Sequence, residues 1–404
     1  MTPTRIMFIA GEASGDTLAA ELVQALRPAL AARQARPTND AQPLRTSLAP
    51  ELFGAGGPNL AAAGVDLAFD LTLHSVIGLA DVLKNYSEFK RLFDQLVALA
   101  IERQPEVIIC VDFSGFNRRF ARAIRRHVRA HPGPFHNWNP KIIQYISPQV
   151  WASREGRARR MEGDFDLLLS IFPFEKAWYA ARVPRLRVEF IGHPVIDRYA
   201  GALLAMRNGQ ADPAHPTIVL LPGSRRAELK RHLPVMLAAC AAVQQARPET
   251  RARMVLPNEN LARTAREFIG AQAGVDTQVG GLAEALSHAT TALASSGTVT
   301  MECACFGVPT VAIYKTSWST YEIARRIIRV KYVAMPNLLA GEEIFPEFIQ
   351  AAATPENLAR ATLALLNDAP RRAAIKGRLA EIIATLGDPG ANARAARAVV
   401  ELLK

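Results

Sequence analysis

Long apolar runs are missing from this 404-residue sequence, which excludes membrane-spanning helices; if a membrane is involved, the protein lies on it. The N-terminal apolar stretch, Ile6 to Ala10, is too short for a secretory signal and lacks the cleavage pattern, so a cytoplasmic protein is expected. Cysteine is scarce. Cys110, Cys240, Cys303 and Cys305 show neither metal-binding nor CxxC spacing, and three of them sit in apolar runs. They read as buried free thiols in a reducing compartment. Aromatic residues make up only 7% and do not interleave with the arginine clusters, so the stacking platforms of a nucleic-acid binder are lacking. No GxGxxG occurs, and the dinucleotide fingerprint is therefore absent.

What is present is globular: half the residues are hydrophobic and 21% are charged. The chain is too long for one ordinary core, so two or three domains are expected. Net charge is +11, carried by 39 arginines and only nine lysines. That balance favours phosphate-rich partners or an anionic membrane surface; an Arg- and Ala-rich coding bias would produce it as well.

The most informative stretch runs from Thr217 to Leu229. Thr217 to Leu221 has the apolar, β-branched character of a buried parallel strand. Pro222 and Gly223 turn the chain, Ser224 is placed to cap a helix, and Glu228 falls in its first turns. Strand, glycine turn and helix N-terminus together make an anion site, with Arg225 and Arg226 adding charge in a geometry that suits phosphate. The plainer reading is a βα turn with a solvated Arg pair.

The same grammar opens the chain. Arg5 to Ala10 predicts a strand, Gly11 to Asp16 a small-residue loop, and Thr17 to about Arg33 a helix. Gly11 and Gly15, with Ser14 between them, would let a ligand approach the backbone, unless the loop is only a tight turn. Gln34 to Pro50 reads as a long exposed loop. Leu71 to Leu83 is dense in apolar residues and reads either as a core helix or as a lipid-facing patch. Glu106 to Asp112 predicts a strand ending in an acid, where an open α/β sheet presents functional groups; Asp112 would otherwise be a helix-cap or turn acid, and Asn117 likewise. The arginine-rich helix after it is either a membrane-facing or a solvated surface. Asp164-Phe165-Asp166 has the DxD form of metal-dependent sugar transferases, but its apolar strand follows the acids and no strand end presents them.

Gly192-His193-Pro194 breaks the chain and marks a boundary. About seven strands precede it, and five follow from Thr217 to Tyr314, each half alternating strand and helix. Ser295 to Thr298 after the fourth strand of the second half forms a second anion loop. Glu302, at the fourth or fifth residue of the next helix, can accept hydrogen bonds from ribose hydroxyls, or is a capping or surface acid. Two such loops and an acid point to a nucleotide diphosphate. The domains expected are 1–193, 194–369 and a helical segment 370–404.

These residues carry a resemblance. Gly11-Glu12-Ala13-Ser14-Gly15-Asp16, Ser75-Val76-Ile77-Gly78, Phe116-Asn117, Ser147-Pro148-Gln149-Val150-Trp151, Phe172-Pro173-Phe174-Glu175, Gly192-His193-Pro194, Leu221-Pro222-Gly223-Ser224-Arg225, Ser296-Gly297-Thr298 with Glu302, and Pro336-Asn337-Leu338-Leu339-Ala340-Gly341 occur in order over essentially the whole chain. In that order they resemble the lipid-A-disaccharide synthases, a GT-B glycosyltransferase family. The sequence departs from the family pattern at Ser114 (usually Pro), Ser153 (usually Trp) and Asp81 (usually Glu), and 34–50 resembles an insertion.

The resemblance implies an α/β GT-B fold, two facing Rossmann-like domains with a cleft between them and the nucleotide held by the C-terminal one. It implies an inverting transfer from UDP-2,3-diacylglucosamine to the 6-hydroxyl of 2,3-diacylglucosamine 1-phosphate. Asp112 is then the candidate base, and Arg225 with the amides at Ser296, Gly297 and Thr298 stabilises the leaving diphosphate. Gly11, Ser14, Gly15, Gly223, Ser224, Glu302 and Asn337 join the substrate and nucleotide subsites, Asn337 with no assigned polar role. Val76, Ile77, Leu79 and Val82 form the lipid patch. Neither metal nor cofactor is expected, since arginine and helix dipoles carry the charge. The expected location is peripheral, on the anionic inner face of a bacterial inner membrane, as a monomer or homodimer without nucleic acid. The last helix packs back on the N-terminal domain, within one subunit or exchanged between two. Two rivals stand beside this reading: a GT-B-like UDP-sugar epimerase, which needs no apolar acceptor surface, and a basic nucleic-acid-binding protein.

Overall fold

Short runs of three to six residues form the strands of two separate parallel sheets, and the central strands are largely apolar, as chain buried on both faces must be. The computed structural model describes residues 3–34, 49–74, 86–133, 136–153, 155–205, 214–269 and 274–403. It divides into two units, Met1–Pro194 with Gly387–Lys404, and Val195–Leu386.

The first unit holds β1 (Arg5–Ala10), β2 (Glu51–Gly56), β3 (Asp66–Asp70), β4 (Val107–Val111), β5 (Lys141–Tyr145), β6 (Leu167–Ser170) and β7 (Arg187–Phe190), in the order β3-β2-β1-β4-β5-β6-β7. Around them lie α1 (Ala13–Gln34), α2 (Pro58–Ala62), α3 (Tyr86–Arg103), α4 (Ser114–Ala130), α5 (Val150–Ser153), α6 (Ala158–Met161) and α7 (Pro173–Ala180). Every residue of β4 is fully buried. At about 1.5–3 kcal/mol for each large apolar side chain, such central strands dominate the stability of the unit. β6 ends earlier than its apolar run, because Phe172 is already the N-cap of α7 and Pro173 its first residue.

The arginines of α4 do not all face solvent. Arg122 binds Asp164 at 3.1 Å and Arg125 binds Asp166 at 2.5 Å. Both acids of the DxD sequence are therefore engaged in fastening α4 to the strands. Of the apolar stretch 71–83 the structure describes only its start: Leu71 is buried, Thr72–His74 form one 3-10 turn, and Leu73 is 79% exposed. Val76, Ile77, Leu79 and Val82 lie outside the described residues, as do 35–48 of the long loop.

The second unit holds β8 (Thr217–Leu221), β9 (Arg251–Leu256), β10 (Val275–Val279), β11 (Thr291–Ser295), β12 (Thr310–Tyr314) and β13 (Glu347–Ile349), in the order β10-β9-β8-β11-β12-β13. Its helices are α8 (Pro194–Ala205), α9 (Arg226–Ala246), α10 (Glu259–Ile269), α11 (Leu282–Ser287), α12 (Thr298–Cys305), α13 (Trp318–Ile327), α14 (Met335–Ala340), α15 (Pro355–Asn367) and α16 (Ala369–Thr385). The sequence reading counts five strands here. β13 escapes it because three residues after a proline carry no periodicity. The four cysteines are free, three buried and Cys305 half-buried; burial pushes Cys240 up to about 11 and Cys303 to about 12.

The chain then returns to the first unit as α17 (Ala391–Leu402), which packs on α1. Tyr145 donates to Asn392 at 2.9 Å, and Arg394 donates to the carbonyl of Ile191 at 2.6 Å. α16, which the sequence reading joins to this last segment, belongs to the second unit.

Candidate functional site

In each sheet the strand order reverses beside the first strand, between β1 and β4 and between β8 and β11. Loops leaving the carboxyl ends of such a pair flank a crevice, the usual ligand position in an open α/β sheet. The Gly11 and Asp112 segments share one such edge, and the Gly223 and Ser296 segments share the other.

In the first unit β4 ends in a strained turn: Asp112 has φ +50° and Phe113 φ +32°, both left-handed. Non-glycine residues seldom adopt this conformation and persist there only when neighbours enforce it. Two buried amides do so. Asn117 and Gln144 each donate to the carbonyl of Asp112 at 2.8 Å, while the Asp112 N–H binds the carbonyl of Tyr145 at 2.9 Å. The N-cap of α4 is Phe113, not Asp112, which removes the helix-cap reading of the acid. Gln144 escaped the sequence reading. Its signal was a lone amide in an otherwise apolar strand.

Gly11 is required by the chain itself. A Cβ there would lie 2.2 Å from the Phe113 ring, so the close approach expected of a ligand is made by an aromatic side chain. At Gly15 a Cβ would meet the Asp112 Cβ at an ordinary 3.5 Å. The helix begins at Ala13, so Ser14, Gly15 and Asp16 form its first turn, not a loop. Asp16 is buried and accepts the N–H groups of Gly57, Asn59 and Leu60, capping α2. Three further motifs meet elsewhere in this unit. Buried Glu175 accepts from Ser147 and from the Trp151 indole at 3.0 Å, and Phe172 packs on His193. Burial raises the Glu175 carboxyl above its ordinary value.

In the second unit Gly223 has φ +126°, and a Cβ would strike the Glu228 carboxylate at 2.5 Å. Arg225 is the N-cap of α9, displacing Ser224 from that expected role. Glu228 reaches back, accepting the Ser224 N–H at 3.1 Å and pairing with Arg225 at 3.0 Å. A carboxylate of the chain thus sits at the helix N-terminus, where the dipole favours negative charge. On the neighbouring loop Ser296 donates its N–H to Ile313 at 2.8 Å, Gly297 caps α12, and Gly297 and Thr298 are exposed. Thr300 donates its N–H to the carbonyl of Gly297 at 3.1 Å, and the N–H groups of Thr298 and Val299 before it have no intrahelical acceptor.

Glu302 is buried on α12 and accepts from Tyr199 at 2.9 Å and Arg198 at 3.4 Å, so it is neither a capping nor a surface acid. Asn337 proves to be a fastener. Its amide donates to Phe345 and Glu347 and accepts from Ile344 and Phe345, which uses all four of its hydrogen-bonding positions. The polar role that the sequence left unassigned is internal to the chain.

His232 is buried beneath the first loop. Nδ1 donates to Pro222 at 2.8 Å and Nε2 accepts from the Lys315 N–H at 3.0 Å, which fixes the neutral tautomer. Burial lowers its proton affinity below the ordinary 6.5. The unfolded chain therefore binds the proton more readily. The stability that His232 contributes is complete above pH 6.5 and declines as pH falls below it. Thermal midpoints measured from pH 7.5 to 5.5 should fall more steeply for the wild type than for His232→Gln, which keeps a donor and an acceptor but does not titrate. Parallel curves would remove His232 as the source of the acid sensitivity.

The profile of the lipid-A-disaccharide synthetase family matches residues 6–401. A lipid-A-disaccharide synthase from Myxococcus xanthus (strain DK1622) is 35% identical, over 99% of this chain and 98% of its own. The chain belongs to the lipid-A-disaccharide synthase family. It is a glycosyltransferase of lipid A biosynthesis, acting on a UDP-sugar and lipid substrates. The calicheamicin glycosyltransferase CalG4 shares the GT-B fold, with TM-score 0.58 and 14% identity over 100% of this chain and 99% of that one. The UDP-GlcNAc 2-epimerase from Neisseria meningitidis, bound to UDP-GlcNAc, has TM-score 0.56 and 11% identity over 99% of both chains. At such identity these likenesses concern the fold alone. No helix among the described residues is long and apolar enough to cross a membrane.

Proposed function

We propose that this synthase condenses UDP-2,3-diacylglucosamine with 2,3-diacylglucosamine 1-phosphate, inverting the donor anomer and releasing UDP. The observation that carries the donor assignment is the pair of glycine-containing loops leading into helix N-termini at one switch point of the second unit, with Arg225 in the first of them. The acceptor 6-hydroxyl attacks the anomeric carbon, Asp112 takes its proton, and the bond to the diphosphate oxygen breaks. Arg225 and the N–H groups at the start of α12 neutralise the departing charge. Gly223, Ser224, Ser296, Gly297 and Thr298 supply backbone to the diphosphate, and Glu302 meets the ribose with its remaining acceptor capacity. Gly11, Ser14 and Gly15 support the acceptor side through Phe113 and Asp112. The work is done peripherally, on the anionic inner face of the bacterial inner membrane.

The decisive experiment mixes both lipids with the protein and follows UDP release and disaccharide mass. Disaccharide formed in step with UDP supports the reading. Conversion of the UDP-sugar to an isomer without acceptor would replace it with epimerisation.

A further inference from the structure

Helices of soluble proteins normally bury one face, and α13 buries none of its residues. It also carries apolar side chains into solvent. Trp318 is 74% exposed, Ile323 40% and Ile328, just past its end, 42%. These are three of the six large apolar side chains exposed among the described residues. Beside them Arg325, Arg326, Arg329 and Lys331 are all exposed. Glu322 answers two of them, at 2.7 Å from Arg325 and 3.8 Å from Arg326, and Glu343 lies near Lys331. A tryptophan among arginines suits the headgroup layer of a membrane, where the indole finds an interface and the cations find anionic lipid.

The root of this helix is fastened to the sheet edge by hydrogen bonds. Ser317 caps it, accepting the Thr320 N–H at 3.3 Å. The Lys315 ammonium donates to the carbonyls of Gln350 and Ala353. The Gln350 amide pairs with both the N–H and the carbonyl of Thr316 at 3.0 Å. The helix leaves the carboxyl end of β12, the neighbour of β11, so it rises from the same sheet edge as the Ser296 loop.

We propose that α13 and the segment through Lys331 form a membrane-docking element of the second unit, and that its occupant is an anionic lipid bilayer. The inference rests on the lipid-substrate reading above and adds a surface that reading does not contain. It would hold the donor loops at the leaflet from which a lipid-bearing nucleotide sugar is drawn. α4 is a weaker candidate, because Arg122 and Arg125 are committed to ion pairs.

The test uses the full chain and vesicles of phosphatidylethanolamine with one quarter phosphatidylglycerol, against pure phosphatidylcholine. Wild-type protein should sediment with the anionic vesicles and far less with the neutral ones. Trp318→Ser and the double variant Arg326→Glu/Arg329→Glu should each weaken anionic-vesicle binding by roughly tenfold or more. Turnover on detergent-dispersed substrates should be unchanged in both, which also verifies that they fold. Brominated lipid should quench wild-type fluorescence, and Trp318→Phe should abolish that extra quenching. Vesicle binding equal to wild type in both variants, or no quenching assignable to Trp318, overturns the proposal. Failure of the wild type to form disaccharide would instead strike the function, leaving the vesicle result to stand by itself.

Discussion

Asp112→Asn should lower disaccharide formation by about 10²–10⁴-fold while leaving folding and UDP binding near wild type. Asparagine is the informative replacement because it is one of the few side chains that tolerate the left-handed conformation at φ +50°. Alanine would add backbone strain to the loss of the carboxylate. The amide keeps the size of the acid and much of its hydrogen bonding, but it cannot accept a proton. The clamp from Asn117 and Gln144 grips the backbone carbonyl, which the substitution does not alter. With Phe113 as the N-cap, a stability effect through capping is not expected. Rates from single-turnover assays, with thermal unfolding as the control, decide the matter. A folded Asp112→Asn protein that turns over normally refutes the base assignment.

Arg225→Ala should slow turnover by about 10²–10³-fold, the usual cost of removing one preorganised donor from developing negative charge. UDP should bind roughly ten- to a hundredfold more weakly, as fits a lost charge-assisted hydrogen bond. Glu228 sharpens this prediction. Its carboxylate pairs with Arg225 and accepts the Ser224 N–H, so deleting the arginine leaves a bare acid facing the diphosphate. Adding Glu228→Gln to Arg225→Ala should recover part of the lost affinity. Calorimetry of UDP binding separates the cases, and unchanged affinity with unchanged rate in the single variant would end the assignment of Arg225.

Both sheets were legible because buried parallel strands are written as unbroken apolar runs, and loops after β1, β4, β8 and β11 could be named from glycine and polar punctuation. What each polar side chain does inside those loops was not legible. Asn337 looks like a ligand-site residue in sequence and Asp16 like part of a ligand loop, yet Asn337 is consumed by the turn from Ile344 to Glu347 and Asp16 by backbone N–H groups more than forty residues on. Only the folded geometry brings those partners near. Gly11 illustrates the same limit, since a glycine announces a close approach without saying what approaches. Family resemblance supplied the chemistry that spacing could not, and left His232 and Gln144 unmentioned because their signals are single residues in an ordinary helix and strand.

The return of α17 to the first unit makes that unit discontinuous in sequence. During synthesis all seven of its strands leave the ribosome before residue 195, but α1, which ends at Gln34, waits until Ala391 for the helix that packs on it. The second unit, encoded wholly within that interval, can complete its own core first. Nascent chains halted after Leu386 should expose the apolar side of α1 to chaperones, and release of Ala391–Leu402 is the event that closes the first unit.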